Sequence, residues 1–576
     1  MHKRLIHRYQ SAAAPTLNGA DLHPVLQRIY SHRGVSSPEQ IDYSLQRLLP
    51  PDRLKGLEQA VTILAAAVQA NRRILIVGDF DADGATSSAV CMRALHLLGA
   101  DKVSFLVPNR FDFGYGLTPE LVEVAKESQP EVLITVDNGI SSIEGVKAAK
   151  AAGMQVVVTD HHLAGAQLPD ADAIVNPNQP GCDFPSKNLA GVGVIFYVML
   201  ALRKKLRELG HFGKGKEPNL GSLLDLVALG TVADVVPLDD NNRILVHQGL
   251  QRIRAGQCCA GILALLEVGG RDFHDIVATD LGFIVGPRLN AAGRLEDMAL
   301  GIECLLTDDM NKAKQMAKQL DELNRNRRAI EQDMQQQALA DLQPLLEELG
   351  HQALPHGLSI YNADWHQGVI GILASRIKER FNRPVIAFAP ADNGEIKGSA
   401  RSIRGLHIRD ALEAVSTRHP GLIIKFGGHA MAAGLSLREA DFERFRQAFE
   451  EEATRQLDED ALQGIIESDG ELAAEDINLQ LAECLRRAGP WGQHFPEPVF
   501  DGEFEVSNWR VVGEKHLKMQ LMSADSDAPL EAIAFNADQA LIEASDGFIR
   551  AAYKLDVNSF RNKRTAQLVI EYFEAV

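Results

Sequence analysis

The chain has no Cys-x-x-Cys pair. Its six cysteines, Cys91, Cys182, Cys258, Cys259, Cys304 and Cys484, are scattered over 576 residues, which argues against a thiolate zinc site and fits a reducing cytoplasm. Aromatic residues are only 6% of the chain. No uninterrupted apolar run reaches the roughly 18 residues that a membrane helix needs. The start, MHKRLIHRYQSAAAP, is basic but has no apolar h-region, so no secretory signal is expected. Internal repeats and low-complexity tracts are also missing, which excludes collagen, long disorder and coiled-coil rods. With 45% hydrophobic and 24% charged residues, the chain reads as soluble, with three or four domains of ordinary size.

Basic residues are outnumbered, 59 against 77, for a net charge of −18. That balance alone would argue against a nucleic-acid partner. The excess is local, however. Residues 438–476 hold 14 acids and 4 bases, whereas 376–425 hold 10 bases and 5 acids, 312–328 hold 6 and 2, and 548–564 hold 5 and 1. These basic stretches could track a phosphate backbone.

From Arg73 to Pro177 short β-branched runs alternate with helical stretches: ILIVGDF (74–80), VSFLVPN (103–109), VLITVDN (132–138), QVVVTDHH (155–162) and AIVNP (173–177). Nearly continuous hydrophobic strands separated by helices predict a parallel sheet covered on both faces. A mostly helical extension follows to about Thr307. Apolar residues at 3–4 spacing then predict a helix from Met310 to about Gln343, some 50 Å long, a connector between domains. A second α/β unit is expected from Gly357 to Glu450, and five short strands beyond Glu497 suggest a small OB-like barrel.

Chemistry collects where the parallel strands end. The first ends in Asp79, Asp81 and Asp83, the second in Asn109 and Arg110, the third in Asp137 and Asn138, the fourth in Asp160, His161 and His162. Carboxyl ends of strands line the ligand crevice in open α/β sheets. Carboxylates about 5 Å apart repel by roughly 3 kcal/mol at an effective dielectric of 20, which is large against a total stability of about 5–15 kcal/mol. Such a cluster either stays partly protonated or binds divalent cations. Carboxylate and imidazole donors without thiolate suit Mn²⁺ or Mg²⁺. An EF-hand reading of Asp79-x-Asp81-x-Asp83-Gly84 fails, because the twelfth position is Val90 rather than Glu and a strand precedes the loop.

The motifs GDFDADGATS, VDNGI, TDHH and GTVADVVPL resemble the four signatures of the DHH phosphoesterase superfamily. GPRLNAAGRL, GSARS and GGHAMAAG are similar to further motifs of its RecJ branch, single-strand-specific 5′→3′ DNA exonucleases. The resemblance runs over residues 70–435 in order. It implies α/β architecture: a parallel-sheet DHH domain within residues 1–307, a long connecting helix (308–350), a second α/β, DHHA1-like domain (351–455), then an acidic linker and OB-like β-barrel (456–576). It also implies two Mn²⁺ or Mg²⁺ ions. Asp79 or Asp81 with Asp137 would hold one; Asp83, Asp137, His161 and Asp234 would hold the other, with Asp137 bridging. Relatives often carry histidine where Val77 stands, and Asp79 is the expected substitute. His162 would face a phosphate oxygen.

By the same resemblance Asn109, Arg110, Tyr115, Arg288, Asn290, Ser399, Arg401 and His429 contact the strand, which hydrolysis would release as 5′-mononucleotides. Single-strand-binding protein and a helicase are the expected partners, in a bacterial cytoplasm, with no membrane. Two alternatives stand beside this reading. One is a short-oligonucleotide or cyclic-dinucleotide phosphodiesterase or a pyrophosphatase, which usually lacks a connector plus barrel. The other is an inactive replication scaffold, which would have lost the metal carboxylates that this chain keeps.

Overall fold

Ile74–Gly78 and Val132–Val136 are buried along their whole length, and Gln155–Thr159 nearly so. Strands this apolar on both faces can pair only inside a helix-covered parallel sheet. In the computed structural model they form the middle of a five-stranded sheet in the order 103–106, 74–78, 132–136, 155–159, 173–175, parallel throughout. The structure describes all residues except 1–3, 10–21, 109–112, 114, 115, 214, 216, 349–353, 514, 515, 525–527, 538, 544, 546, 561 and 562. Asn109, Arg110 and Tyr115 therefore lie outside the described residues.

The strand order reverses between the first and third strands of this sheet, and the crevice at such a switch point is where open α/β sheets bind ligands. Leu75, Val77, Leu121, Leu133, Val146, Val156 and Val158 share the core on one face. Helices Leu224–Ala233, Asp240–Arg254, Ala260–Val268, Gly286–Leu295 and Ala299–Leu306 complete a unit that spans residues 11–324 and takes back 480–498. Trp491 and Phe495 from that returning segment stack on each other and on Tyr30. Tyr30 Oη donates to Ala488 O at 2.8 Å, and Arg243 lies over the Phe495 ring.

The connecting helix runs Met310–Glu348, 39 residues or about 58 Å. It passes beyond Pro344, which sacrifices one intrahelical donor without ending it. Its residues belong to the first unit through Asn324 and to the second from Arg325; Met334, Ala338 and Leu342 enter the second unit's core.

The second unit comprises 1–10, 325–479 and 499–576. Its mixed sheet has the order 425–428, 432–438, 395–401, 385–390, 358–361, with only the last pair parallel. Much of the acidic stretch is the helix Phe442–Gln456, which buries Phe445 and Phe449 and turns its carboxylates outward, apart from Glu452. Strands Phe500–Val512, His516–Met522, Leu530–Ala534, Phe548–Phe560 and Lys563–Ala575 close a barrel. Its third and fifth strands pair in parallel, as an OB topology requires. Arg4–Arg8 pairs in parallel with Gly464–Ser468.

Candidate metal centre

Asp81 caps the helix Ala82–Leu97, its Oδ1 accepting from Asp83 N at 2.9 Å and Gly84 N at 3.0 Å. Asp83, inside the first turn of that helix, turns its carboxylate to the start of another helix, Gly191–Glu208. There Gly191 N donates to Oδ2 at 2.6 Å and Val192 N to Oδ1 at 2.9 Å. Free N–H groups and the positive end of the helix dipole suit a carboxylate. Asp137 leaves its strand in left-handed backbone, φ 62°, and a Cβ on Gly191 would stand 2.5 Å from its own Cβ. Glycine is thus required where the helix passes Asp137.

His161 gathers the carboxylates. Its Nε2 lies 3.1 Å from Asp137 Oδ1, 3.5 Å from Asp234 Oδ2 and 4.0 Å from Asp83 Oδ2. Three donor groups each fall within 4.8 Å: Asp79, Asp81 and Asp137; Asp83, His161 and Asp234; Asp137, His161 and His162. Asp137 belongs to two of the three. Its Oδ1 is buried and accepts no hydrogen bond.

The electrostatics follow from this crowding. Burial, then the neighbouring Asp81, pushes Asp83 up to about 7. Burial and then the other carboxylates hold Asp137 and Asp234 well above the ordinary carboxyl range. Asp160 behaves oppositely. Burial raises it, but the bond from His162 and the imidazole charges outweigh that and hold it low. His162 is pushed up to about 9, because Asp160 and the acidic cluster outweigh its burial. Buried carboxylates that resist ionisation, one with an orphaned oxygen, fit a divalent cation. Oxygen donors with one or two imidazoles, and no thiolate, fit Mn²⁺ or Mg²⁺.

Asp160 went unassigned in the sequence, yet it fixes the imidazole face. Its Oδ1 accepts from His161 N at 2.7 Å, His162 N at 3.0 Å and His162 Nδ1 at 2.8 Å, and its Oδ2 from Ile140 N at 2.9 Å. Asn138 Nδ2 ties the first strand to the third through Val77 O and Val136 O. The sequence motifs do not single out the Gly191–Val192 cradle; the signal for it is AGVGV opening a helix.

The structure brings together Asp79, Asp81, Asp83, Asp137, His161, His162 and Asp234. Asn290 sits beside them, but its Oδ1 accepts from Ala82 N at 2.8 Å, so it steadies the helix that carries Asp83. Arg288 is buried in an ion pair with Asp321 at 2.8 Å. In the second unit, Arg401 Nη1 donates to Ser399 Oγ at 3.2 Å and Ala400 O at 2.8 Å. Arg401 pairs with no carboxylate among the described residues, and burial lowers its pKa. Gly371 leaves room for it: a Cβ there would meet Arg401 Nη2 at 3.0 Å. His429 is exposed in the turn between strands 425–428 and 432–438.

An Asp- and His-lined switch point on a parallel sheet, a second mixed sheet and an OB barrel define a DHH-domain protein. The DHH family N-terminal domain matches residues 73–231, the DHHA1 domain 355–455 and the RecJ OB domain 468–572. The chain is 55% identical over 557 residues to the single-stranded-DNA-specific exonuclease RecJ of Salmonella typhimurium, covering 96% of each chain. It is 54% identical over 556 residues to that of Escherichia coli, also covering 96% of each. The crystal structure of RecJ in complex with Mn²⁺ from Thermus thermophilus superposes with a TM-score of 0.80 at 29% identity, covering 99% of this chain and 79% of that one. The chain belongs to the RecJ family.

Proposed function

We propose that the chain is a metal-dependent exonuclease that degrades single-stranded DNA 5′→3′ to 5′-mononucleotides in recombination and repair. The observation that carries this is the convergence of Asp81, Asp83, Asp137, His161 and Asp234 on one crevice, in a chain that also has a RecJ OB domain. An inactive scaffold would not retain that costly cluster. Asp79, Asp81 and Asp137 would hold one Mn²⁺ or Mg²⁺, and Asp83, Asp137, His161 and Asp234 a second. Bound there, the ions supply Lewis acidity at the phosphoryl oxygens.

The protein's own groups do the rest. Asp137, present in two of the donor groups, would serve both positions, and the Gly191–Val192 amides keep Asp83 fixed. Asp160 orients His162 and favours its protonated form, which would donate to a phosphate oxygen. Arg401, desolvated and without a carboxylate partner among the described residues, is suited to an incoming phosphate, with Ser399 and His429 on the same unit; Asn109, Arg110 and Tyr115 are proposed as separate strand contacts of the unit that carries the acidic cluster. Residues 1–307 would carry hydrolysis, 351–455 strand binding and 456–576 further nucleic-acid contacts. Single-strand-binding protein and a helicase are the proposed partners, in the bacterial cytoplasm. Among the described residues no helix is long and apolar enough to cross a membrane.

The test is Mn²⁺-dependent release of labelled 5′ nucleotides from a long single strand. Equal rates on blunt duplex, or digestion from the 3′ end, would overturn the reading.

A further inference from the structure

Val235 is β-branched yet holds left-handed backbone, φ 61°, a strained conformation for such a side chain. It directly follows Asp234 and is 62% exposed. The turn closes the end of helix Leu224–Ala233, with Val235 N donating to Val232 O at 3.2 Å. Against that helix end packs Leu281–Val285, a single π-helical turn. A Cβ on Gly282 would stand 3.2 Å from Val232 Cγ1, and one on Gly286 3.2 Å from Ala233 Cβ. The π turn presents Phe283, which is 71% exposed.

Turns of this kind are rare and concentrate at functional sites. This one is braced. Arg288 donates from Nη1 to Ile284 O at 2.7 Å and pairs with the buried Asp321 at 2.8 Å. The guanidinium expected to meet phosphate is therefore committed to holding the π turn. A strained valine directly after Asp234 and an outward phenylalanine on the turn packed against the same helix end both expose apolar surface, which packing alone would not favour.

We propose that Phe283 and Val235 form an apolar platform on which one nucleobase of the strand stacks beside the metal centre, with Arg288 as the positioning residue that holds Phe283 outward. This rests on the exonuclease reading and adds a contact to the base, where the metal centre addresses only phosphate. The occupant follows from continuity: the Asp234–Val235 peptide joins the platform to the site of phosphodiester cleavage. Every base offers an aromatic face, so the contact tolerates any sequence. Inside a duplex those faces are covered by neighbouring pairs, so the platform favours unpaired strands.

The test walks a single abasic residue through the first few 5′ positions of a labelled strand and measures KM and kcat in Mn²⁺. For the wild type, KM should rise about ten-fold at one position, the effect of losing one stacked base. Phe283→Ala should raise KM on the intact strand by a similar factor with little change in kcat, and should be indifferent to the abasic residue at that position. Phe283→Trp should restore the wild-type pattern, and calorimetric Mn²⁺ affinity should match in all three proteins. A Phe283→Ala enzyme with wild-type KM, or one weakened equally on intact and abasic strands, would overturn the platform alone. Failure of the wild type to release nucleotides would overturn the exonuclease reading and the platform with it.

Discussion

Replacing Asp234 by asparagine should stabilise the metal-free protein while disabling the metal-loaded one. Asp234 and Asp83 place carboxylate oxygens within 4.8 Å of each other, a repulsion of about 3 kcal/mol at an effective dielectric of 20. No backbone hydrogen bond to the Asp234 carboxylate offsets it among the described residues. The sign of the pH dependence follows from the raised carboxyls. A carboxyl whose folded pKa lies above its unfolded value costs nothing at low pH, where both states are protonated. Its penalty grows as pH rises from the ordinary value near 4 through the raised one, about 7 for Asp83. Metal-free wild type should therefore lose stability across that window. Asp234→Asn should melt roughly 5 °C higher than wild type in chelator near pH 8.5, with little difference near pH 5. Mn²⁺ at about a thousand times its Kd should invert the order, since it adds roughly 4.1 kcal/mol to the protein that can bind it, more than the repulsion it relieves. Scanning calorimetry in chelator and in Mn²⁺, at both pH values, measures this. An Asp234→Asn protein no more stable than wild type in chelator at high pH, or equally favoured at both, would refute the crowding argument.

Asp83→Asn should gain less in chelator, because its amide would set an NH₂ group against the Gly191 or Val192 N–H. It should retain under about a tenth of wild-type turnover in Mn²⁺, a loss of more than about 1.4 kcal/mol in transition-state stabilisation. Asp160→Asn should drop the His162 pKa from about 9 toward its ordinary value near 6.5, read from the imidazole resonances; an unmoved titration would refute the proposed orientation. Arg401→Ala should raise KM for single strands with little effect on Mn²⁺ affinity, and equal losses in both would mean that it only supports the fold. A chain ending at Pro498 should still hydrolyse short oligonucleotides but bind long strands with a salt slope shallower by about 1–2. That change is modest because Lys518 pairs with Glu531 and Lys554 with Glu571.

Most of the acidic cluster was legible because Asp79, Asp81, Asp83, Asp137, His161 and His162 follow β-branched runs, where sequence order and spatial placement coincide; Asp234, at the end of helix Leu224–Ala233, was legible only from the GTVADVVPL motif. The connector was legible from its spacing up to Pro344, where a residue that usually ends helices did not. The barrel's strands were legible, but not the pairing that neutralises its bases or the burial of Tyr553 between Phe500 and Phe504. The ion pair between Arg288 and Asp321 was not legible from the motif, since nothing local reveals a partner 33 residues onward. The return of 480–498 was equally hidden. Leu479–Ala488 is an amphipathic helix, and amphipathicity states that a helix packs without stating on what.

That return has a consequence for how the protein is made. The unit carrying the acidic cluster lacks Trp491 and Phe495 until the ribosome has passed residue 498, about 170 residues after the rest of the unit ends. At typical synthesis rates that delay is roughly 10–35 s. A nascent chain therefore cannot complete the unit carrying the acidic cluster until residues 325–479 of the second unit have been translated. A prematurely terminated product that stops before Trp491 would leave Tyr30 unsealed and be a target for proteolysis, so an untethered nuclease fragment should not accumulate in the cell.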